Sequence, residues 1–275
     1  MSSGGSANEK GRQLRSQQRH LRPTRQAVMD FLTFESGYSN SIASFLALAR
    51  ENAPTIRDHI STSMWEALNR FHLMMRDEST RKLGVEAPLE LYADIRRASQ
   101  LFVGVTDGTL SHDEGWHFAR LGRMIERADK TTRILDVRYF LLLPTVEDVG
   151  TPLDIVQWSA LLRSASALDM YRAHRGRLVP TRVAEFLLLD RHFPRSVLHC
   201  VEAGSQSLHA ITGSPLGQAN TPTEKRMGRL QSELEYTGIE DIIDEGLHEF
   251  IDRIQTRLNE VGTAITESLL APSAA

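Results

Sequence analysis

The densest run of chemically capable side chains is RLGRMIERADKTTR, which holds Arg120, Arg123, Glu126, Arg127, Asp129, Lys130 and Arg133. Two chemistries fit it. On a helix, Glu126 with Lys130 and Asp129 with Arg133 are i,i+4 pairs in the favourable order, each worth about 0.2–0.5 kcal/mol on an exposed face. If Glu126 and Arg127 instead lie inside the fold, they form a polar centre that recognises anions or carboxylates, because a guanidinium fork matches such groups with paired hydrogen bonds. A second constellation is Asp190, Arg191, Arg195 and Ser196 in DRHFPRS, mirrored weakly by Glu35, Asn40 and Ser41. A third is Asp107 with Thr109 in TDGT. Asp or Ser at a helix start caps orphan backbone amides, and an Arg there ties the corner down. Convergence of Arg191 and Arg195 on Glu126 would instead create a carboxylate or phosphate site.

Other chemistries find less support. His112, Asp113, Glu114 and His117 in HDEGWH invite a metal, but the histidines are five apart, where ligation from one helical face wants four. Asp113 and His117 have that spacing without a matching second cluster, so no metal site is read. No Walker or dinucleotide glycine loop is present, and no G-x-S-x-G elbow or Cys/His nucleophile context, so no cofactor is read and a stand-alone hydrolase is disfavoured. Cys200 is the only cysteine, which rules out an intrachain disulfide and suggests a buried thiol. Trp65, Leu68, His72 and Met75 fall at core spacing, so that histidine reads as packed or peripheral, without chemistry of its own.

The elements that must position these groups are helices. From Val28 onward apolar residues recur at helical spacing, and alternating patterns of useful length are missing, so the fold class is all-α, a compact multi-helix array. Starts are marked by Ser39 and Asn40 before Ser41, by Pro54, by Ser111 with Glu114 as a capping box, and by Thr151-Pro152, Pro180, Pro194 and Thr221-Pro222. Gly84, Gly108, Gly150, Gly176, Gly213 and Gly238 punctuate the chain into eight to ten helices. A long central helix near 112–142 carries the seam Phe118, Leu121, Ile125, Ala128, Thr132, Leu135, Tyr139 and Leu142. A last helix, 239–270, carries Ile243, Leu247, Phe250, Ile254, Leu258, Val261 and Ile265.

Val28 to Ile42 repeats at Val183 to Val197, an offset of 155, with Val28/Val183, Phe31/Phe186, Leu32/Leu187 and Ser41/Ser196 identical. Each copy reads as helix, polar corner, helix. The organisation expected is a basic tail, 1–27, followed by one helical domain, 28–275. That domain is made of two related halves, about 28–110 and 111–275, packed about a pseudo-twofold axis. The tail carries Lys10, Arg12, Arg15, Arg19, Arg22 and Arg25 against Glu9 alone, and reads as a solvated terminus. The formal charge of −3 gives no global drive toward nucleic acid. No apolar run approaches the roughly 20 residues that span a bilayer, and MSSGGSANEK is no secretory signal, so a cytoplasmic protein without a membrane partner is expected.

RLGRMIERADKTTRILDVRYF, preceded by TDGTLSHDEGWHF and followed by VAEFLLLDRHFPRSV, resembles the bacterial alpha-E family, helical proteins with a Glu-Arg motif. That motif stands here at Glu126-Arg127. ENAPTIRDHISTSMWEALNRFHL also resembles that family, and the likeness runs from about Val28 to the C-terminus. The resemblance implies association with an ATP-grasp-type ligase and a transglutaminase-like protein, and so a part in peptide ligation or modification. Three roles follow as expectations: an auxiliary component that recognises a substrate or partner, an enzyme with Glu126 as acid/base, or a structural oligomeric scaffold. The family usually begins with an earlier helix bearing a first Glu-Arg copy, where this chain has its basic tail. The expectation is therefore a shortened variant or a displaced start, with an apolar groove left open to a partner or a second copy.

Overall fold

The structure is a computed structural model and describes residues 24–141 and 151–270. Among these residues the chain is all-α: thirteen α-helices, one 3-10 segment and one π turn, with no strand. The chain divides into two compact units, residues 1–112 and 113–275.

The first unit holds α1 (Arg25–Phe34), α2 (Ile42–Asn52), a 3-10 segment (Ala53–His59), α3 (Thr62–Arg76), α4 (Glu78–Glu86) and α5 (Pro88–Thr109). Each of the first four α-helices starts where a short polar side chain, Thr24, Ser41, Ser61 or Asp77, accepts a backbone N–H of the first turn. Pro88 opens α5 at a position whose missing N–H costs nothing. Phe34, Leu46, Leu68, Phe71, Met75 and Leu91 form the core. His72 is buried among them, so the stripe on α3 is core, as its spacing predicts. α1 opens at Arg25, three residues before the boundary suggested by composition; the rest of the basic segment lies outside the described residues. Gly84 does not punctuate the chain but sits inside α4. A Cβ there would lie 3.1 Å from Leu91 Cδ2 and 3.4 Å from Phe34 Cε2, so the glycine serves close packing.

The second unit holds α6 (Glu114–Leu141), α7 (Pro152–Ser164), α8 (Leu168–Arg175), α9 (Pro180–Leu189), α10 (Val197–Thr212), α11 (Pro222–Tyr236), α12 (Ile239–Glu245) and α13 (Leu247–Ile265). α6 packs along α10 and α13. Its seam is buried at Leu121, Ala128, Thr132 and Leu135 and half-buried at Phe118 and Ile125, with Met124 buried beside it, while the side chain of Tyr139 and all of Leu142 lie outside the described residues. Gly204 on α10 lets α6 come close, with Leu121 Cδ1 at 3.6 Å and Met124 Cβ at 3.7 Å from where a Cβ would stand. Three expectations are corrected. α6 starts at Glu114, where Asp113 Oδ1 accepts the Gly115 N–H at 3.2 Å, so the capping residue is Asp113 and not Ser111. Pro194 does not open a helix: it lies in the corner before α10, which Ser196 caps by accepting the His199 N–H at 3.2 Å. The single helix expected at 239–270 is broken at Gly246, whose φ of 110° only glycine adopts readily, and it closes in a π turn (Thr266–Leu270). Ile243, read into the apolar stripe, is exposed before that break.

One local build occurs in both units. α1 and α9 are each ten residues long and start 155 positions apart, as do α2 and α10. Phe31 stacks on Tyr38 at 4.4 Å between ring centroids, and Phe186 stacks on Phe193 at 4.7 Å. Ser41 and Ser196 cap the second helix of their pair, and each donates its own N–H to the carbonyl three residues back, at 3.0 Å. Beyond the corner, α3 and α11 are both fifteen residues long. The units differ where α6 packs: Cys200 and Ala203 on α10 are buried, whereas Phe45 and Leu48 at the matching positions of α2 are 45% and 49% exposed.

Candidate functional site

The apolar seam of α6 fixes where its charged residues go. Asp129 follows the fully buried Ala128, and its side chain is only 12% exposed; it takes Arg133 Nε at 2.8 Å and Lys130 Nζ at 3.2 Å. Burial by itself would raise this carboxyl, but the hydrogen bonds and charges of Arg133 and Lys130 hold it below the ordinary carboxylate range. Glu126 sits on the outer side, 64% exposed, with Lys130 at 3.3 Å. Both i,i+4 pairs read from the spacing are therefore present, and the buried acid is Asp129 while Glu126 faces solvent.

Arg127, next to Glu126, reaches the corner between α9 and α10, where Nη1 donates to the carbonyl oxygen of Pro194 at 3.1 Å. One turn later Thr131 Oγ1 donates to the carbonyl oxygen of Arg195 at 2.8 Å. Arg120 lies over the Trp116 ring and donates to Ser207 Oγ at 3.1 Å and Gln206 Oε1 at 3.4 Å on α10. Arg123 is half-buried on the same helix, its Nε enclosed. α6 is thus fastened to α10 and its corner by two arginines and one threonine, and the Glu126 carboxylate is left on the outside.

The corner is held by Asp190, whose Oδ1 accepts the N–H groups of His192 at 2.9 Å and Phe193 at 2.8 Å, while Oδ2 lies 3.6 Å from Arg175. The Ser196 hydroxyl donates to the Asp190 carbonyl. Asp190 and Ser196 are therefore built as caps. Arg191 turns to other acids, Glu202 Oε1 at 2.5 Å and Glu235 Oε1 at 3.5 Å, not to Glu126. Burial pushes the Glu202 carboxyl up against the pull of Arg191, and the neighbouring Glu235 adds to the rise. Asp107 stands exposed on α5 in the first unit, its carbonyl accepting from His112 Nε2 at 3.2 Å. Of the residues singled out by sequence, those on α6 and the α9–α10 corner come together through main-chain carbonyls.

Sequence reading missed Glu202, Glu235 and His209. They lie on two helices with no motif between them, and only Arg191, already singled out, pointed toward the pair of glutamates. Cys200 is buried, and burial pushes its thiol up to about 11 against the pull of Arg127 and Arg195, which leaves it inert as a nucleophile near neutral pH. Among the described residues no group of three or more His, Cys, Asp or Glu side chains is placed to hold a metal ion. Among them, too, no helix is long and apolar enough to cross a membrane.

Fold and site together define an all-helical protein whose longest helix presents an outward acid beside an anchored arginine, over a capped corner. The chain belongs to the alpha-E family, described as a predicted alpha-helical domain with a conserved ER motif, whose model matches residues 5–270. The only Glu-Arg dipeptide in the sequence is Glu126-Arg127. The uncharacterized protein Rv2567 of Mycobacterium tuberculosis is 24% identical to it over 237 residues, which cover 82% of this chain and 26% of that protein. The uncharacterized protein Mb2597 of Mycobacterium bovis is similar to the same degree over the same length. The chain spans about a quarter of the length of these curated relatives. No solved structure matches it.

Proposed function

We propose that this chain is an auxiliary, recognition component of a peptide ligation or modification system that works with an ATP-grasp-type ligase and a transglutaminase-like protein. The observation that carries the reading is the orientation of the Glu-Arg pair: Arg127 is tied down at Pro194, while Glu126 stands 64% exposed on the outer face of α6. A general acid or base works best in an enclosed site that tunes it, and Glu126 has open surroundings, which favours surface recognition over an acid–base role. Exposed Phe45 and Leu48 on α2 add an apolar face suited to a protein contact.

The experiment is a pull-down of the full chain from a cell extract, with mass spectrometry of what it retains, beside the Glu126→Lys variant. Retention of a ligase of that class or of a transglutaminase-like protein, lost in Glu126→Lys at unchanged melting temperature, is the expected result. Recovery of neither protein by the native chain would overturn the proposal.

A further inference from the structure

Between α10 and α11, within the second unit, lies a groove with a volume of about 950 Å³, lined also by residues 216–219 of the loop that joins them. Along α11 it runs from Lys225 to Glu235, about 15 Å at 1.5 Å per residue. That length is too great for a lone phosphate or carboxylate and matches an extended chain of about four residues at roughly 3.3 Å each.

The walls say what kind of chain. Glu202 and Glu235 occupy Arg191 at one end, and Glu233 occupies Arg257. Lys225 and Arg229, one turn apart on α11 and both exposed, line the groove with no carboxylate of the described residues within 4.0 Å. Gly228 lies between them, and nothing stands within 4 Å of where its Cβ would be, so the floor beside the two cations is open. The inner wall carries His209, only 8% exposed, whose Nδ1 is buried without a hydrogen bond and lies 3.8 Å from Glu224 Oε1. Ser205, Gln206, Gln231 and Ser232 complete the polar lining. Among the described residues lining the groove none is Phe, Tyr or Trp, and the one ring there, His209, is buried, which leaves a nucleobase no open ring to stack on.

We propose that this groove is a binding site for a short, extended acidic peptide, whose carboxylates meet Lys225 and Arg229 and whose main-chain amides meet Gln206 and Gln231. Carboxylates complete the two cations with charge-assisted hydrogen bonds. With Gln206 Oε1 taken by Arg120 and Gln231 Nε2 donating to Glu235, the Gln206 amide N–H supplies a donor and the Gln231 carbonyl an acceptor to a peptide unit. At the other end Arg191 lies against Glu202 and Glu235 and offsets part of their negative charge. The inference stands apart from the ligase-linked reading, because Glu126 does not line this groove and binding there requires no partner protein.

The test uses the full chain and fluorescein-labelled tetraglutamate, followed by fluorescence anisotropy. Saturable binding is expected, displaced by unlabelled tetraglutamate and not by tetralysine. Arg229→Glu should weaken it by about tenfold, because an attractive contact to the ligand carboxylate becomes a like-charge one. Gly228→Leu fills the open floor with a better helix former, and should abolish binding while the melting temperature holds or rises. Absence of saturable binding would overturn the proposal, as would native affinity in Gly228→Leu. Displacement by inorganic pyrophosphate as effective as by tetraglutamate would also overturn it, by showing a small-anion site with no use for the peptide backbone.

Discussion

Nε of Arg133 donates to Oδ2 of Asp129 at 2.8 Å, one turn apart on α6, and the acid of this pair is buried beside the seam while Glu126 is not. Asp129→Ala removes the charge partner of Arg133 and the hydrogen bond from Lys130 together. Arg133 itself is about half exposed and can be rehydrated, so a loss of about 2 kcal/mol is expected, as for hydrogen bonds to charged groups. Glu126→Ala severs only a surface pair and should cost under about 0.5 kcal/mol. Denaturant unfolding of the two variants decides it: equal losses would contradict the burial difference.

A second buried acid, Glu224, should set part of the acid limb of stability. Burial would raise this carboxyl, but the Thr212 hydroxyl and the N–H groups of Thr221 and Asn220 hold it down to about 2. A carboxyl depressed in the folded state stabilises fully above its ordinary value near 4.5, and that stability drains away as pH falls from there toward about 2. Glu224→Gln keeps the shape and loses the charge, so at neutral pH it should be about 2 kcal/mol less stable and should show a flatter decline below pH 4.5. Urea titrations across that range give the slope, and parallel curves would count against Glu224 as the group responsible.

How much of this was legible beforehand depends on how local each signal is. Thr221 and Pro222 mark a helix start in two adjacent residues, and the structure starts α11 there, with Glu224 completing a capping box through both hydrogen bonds. The seam of α6 was readable for the same reason, since periodicity is a local property. Whether Glu126 or Asp129 is the buried acid was not readable, because both flank the seam and the choice belongs to α10 and α13, which pack onto α6. Gly246 was overrun because Ile243, Leu247 and Phe250 keep helical spacing across it; an apolar stripe does not reveal that the backbone takes a positive φ there. The groove between α10 and α11 left no trace in the sequence, since its lining comes from positions scattered over two helices and a loop.

Two glycines inside helices should respond to Gly→Ala in opposite directions. At Gly84 the new methyl would press on Leu91 and Phe34, both core residues of the first unit, so the helix-propensity gain is overwhelmed and a net loss of about 1–2 kcal/mol is expected. At Gly228 the methyl meets nothing within 4 Å, so only the propensity gain of about 0.8–1.0 kcal/mol remains. Melting temperatures of the pair test the packing directly. A stabilised Gly84→Ala would show that α4 lies further from α1 and α5 than the Cβ distances indicate.

The pairing of α6 with α13 should carry a pH signature near neutrality. His248 Nδ1 and Asp136 Oδ1 lie 2.8 Å apart, and this hydrogen bond, aided by the charges of Asp136, Glu249 and Asp252, holds the imidazolium above its ordinary pKa against a smaller desolvation cost. A histidine raised in the folded state contributes stability that is complete below its ordinary value of 6.5 and is lost as pH rises through the folded value. The native chain should therefore lose melting temperature between mildly acidic and mildly alkaline pH, with a component that disappears in His248→Gln. Nuclear magnetic resonance of the His248 ring gives the site directly: Asp136→Asn should move its titration toward lower pH, because the amide removes the charge while keeping an acceptor at 2.8 Å. An unmoved titration would assign the raised value to Glu249 and Asp252, neighbours on α13 itself, and would remove the pH-dependent tie between the two helices.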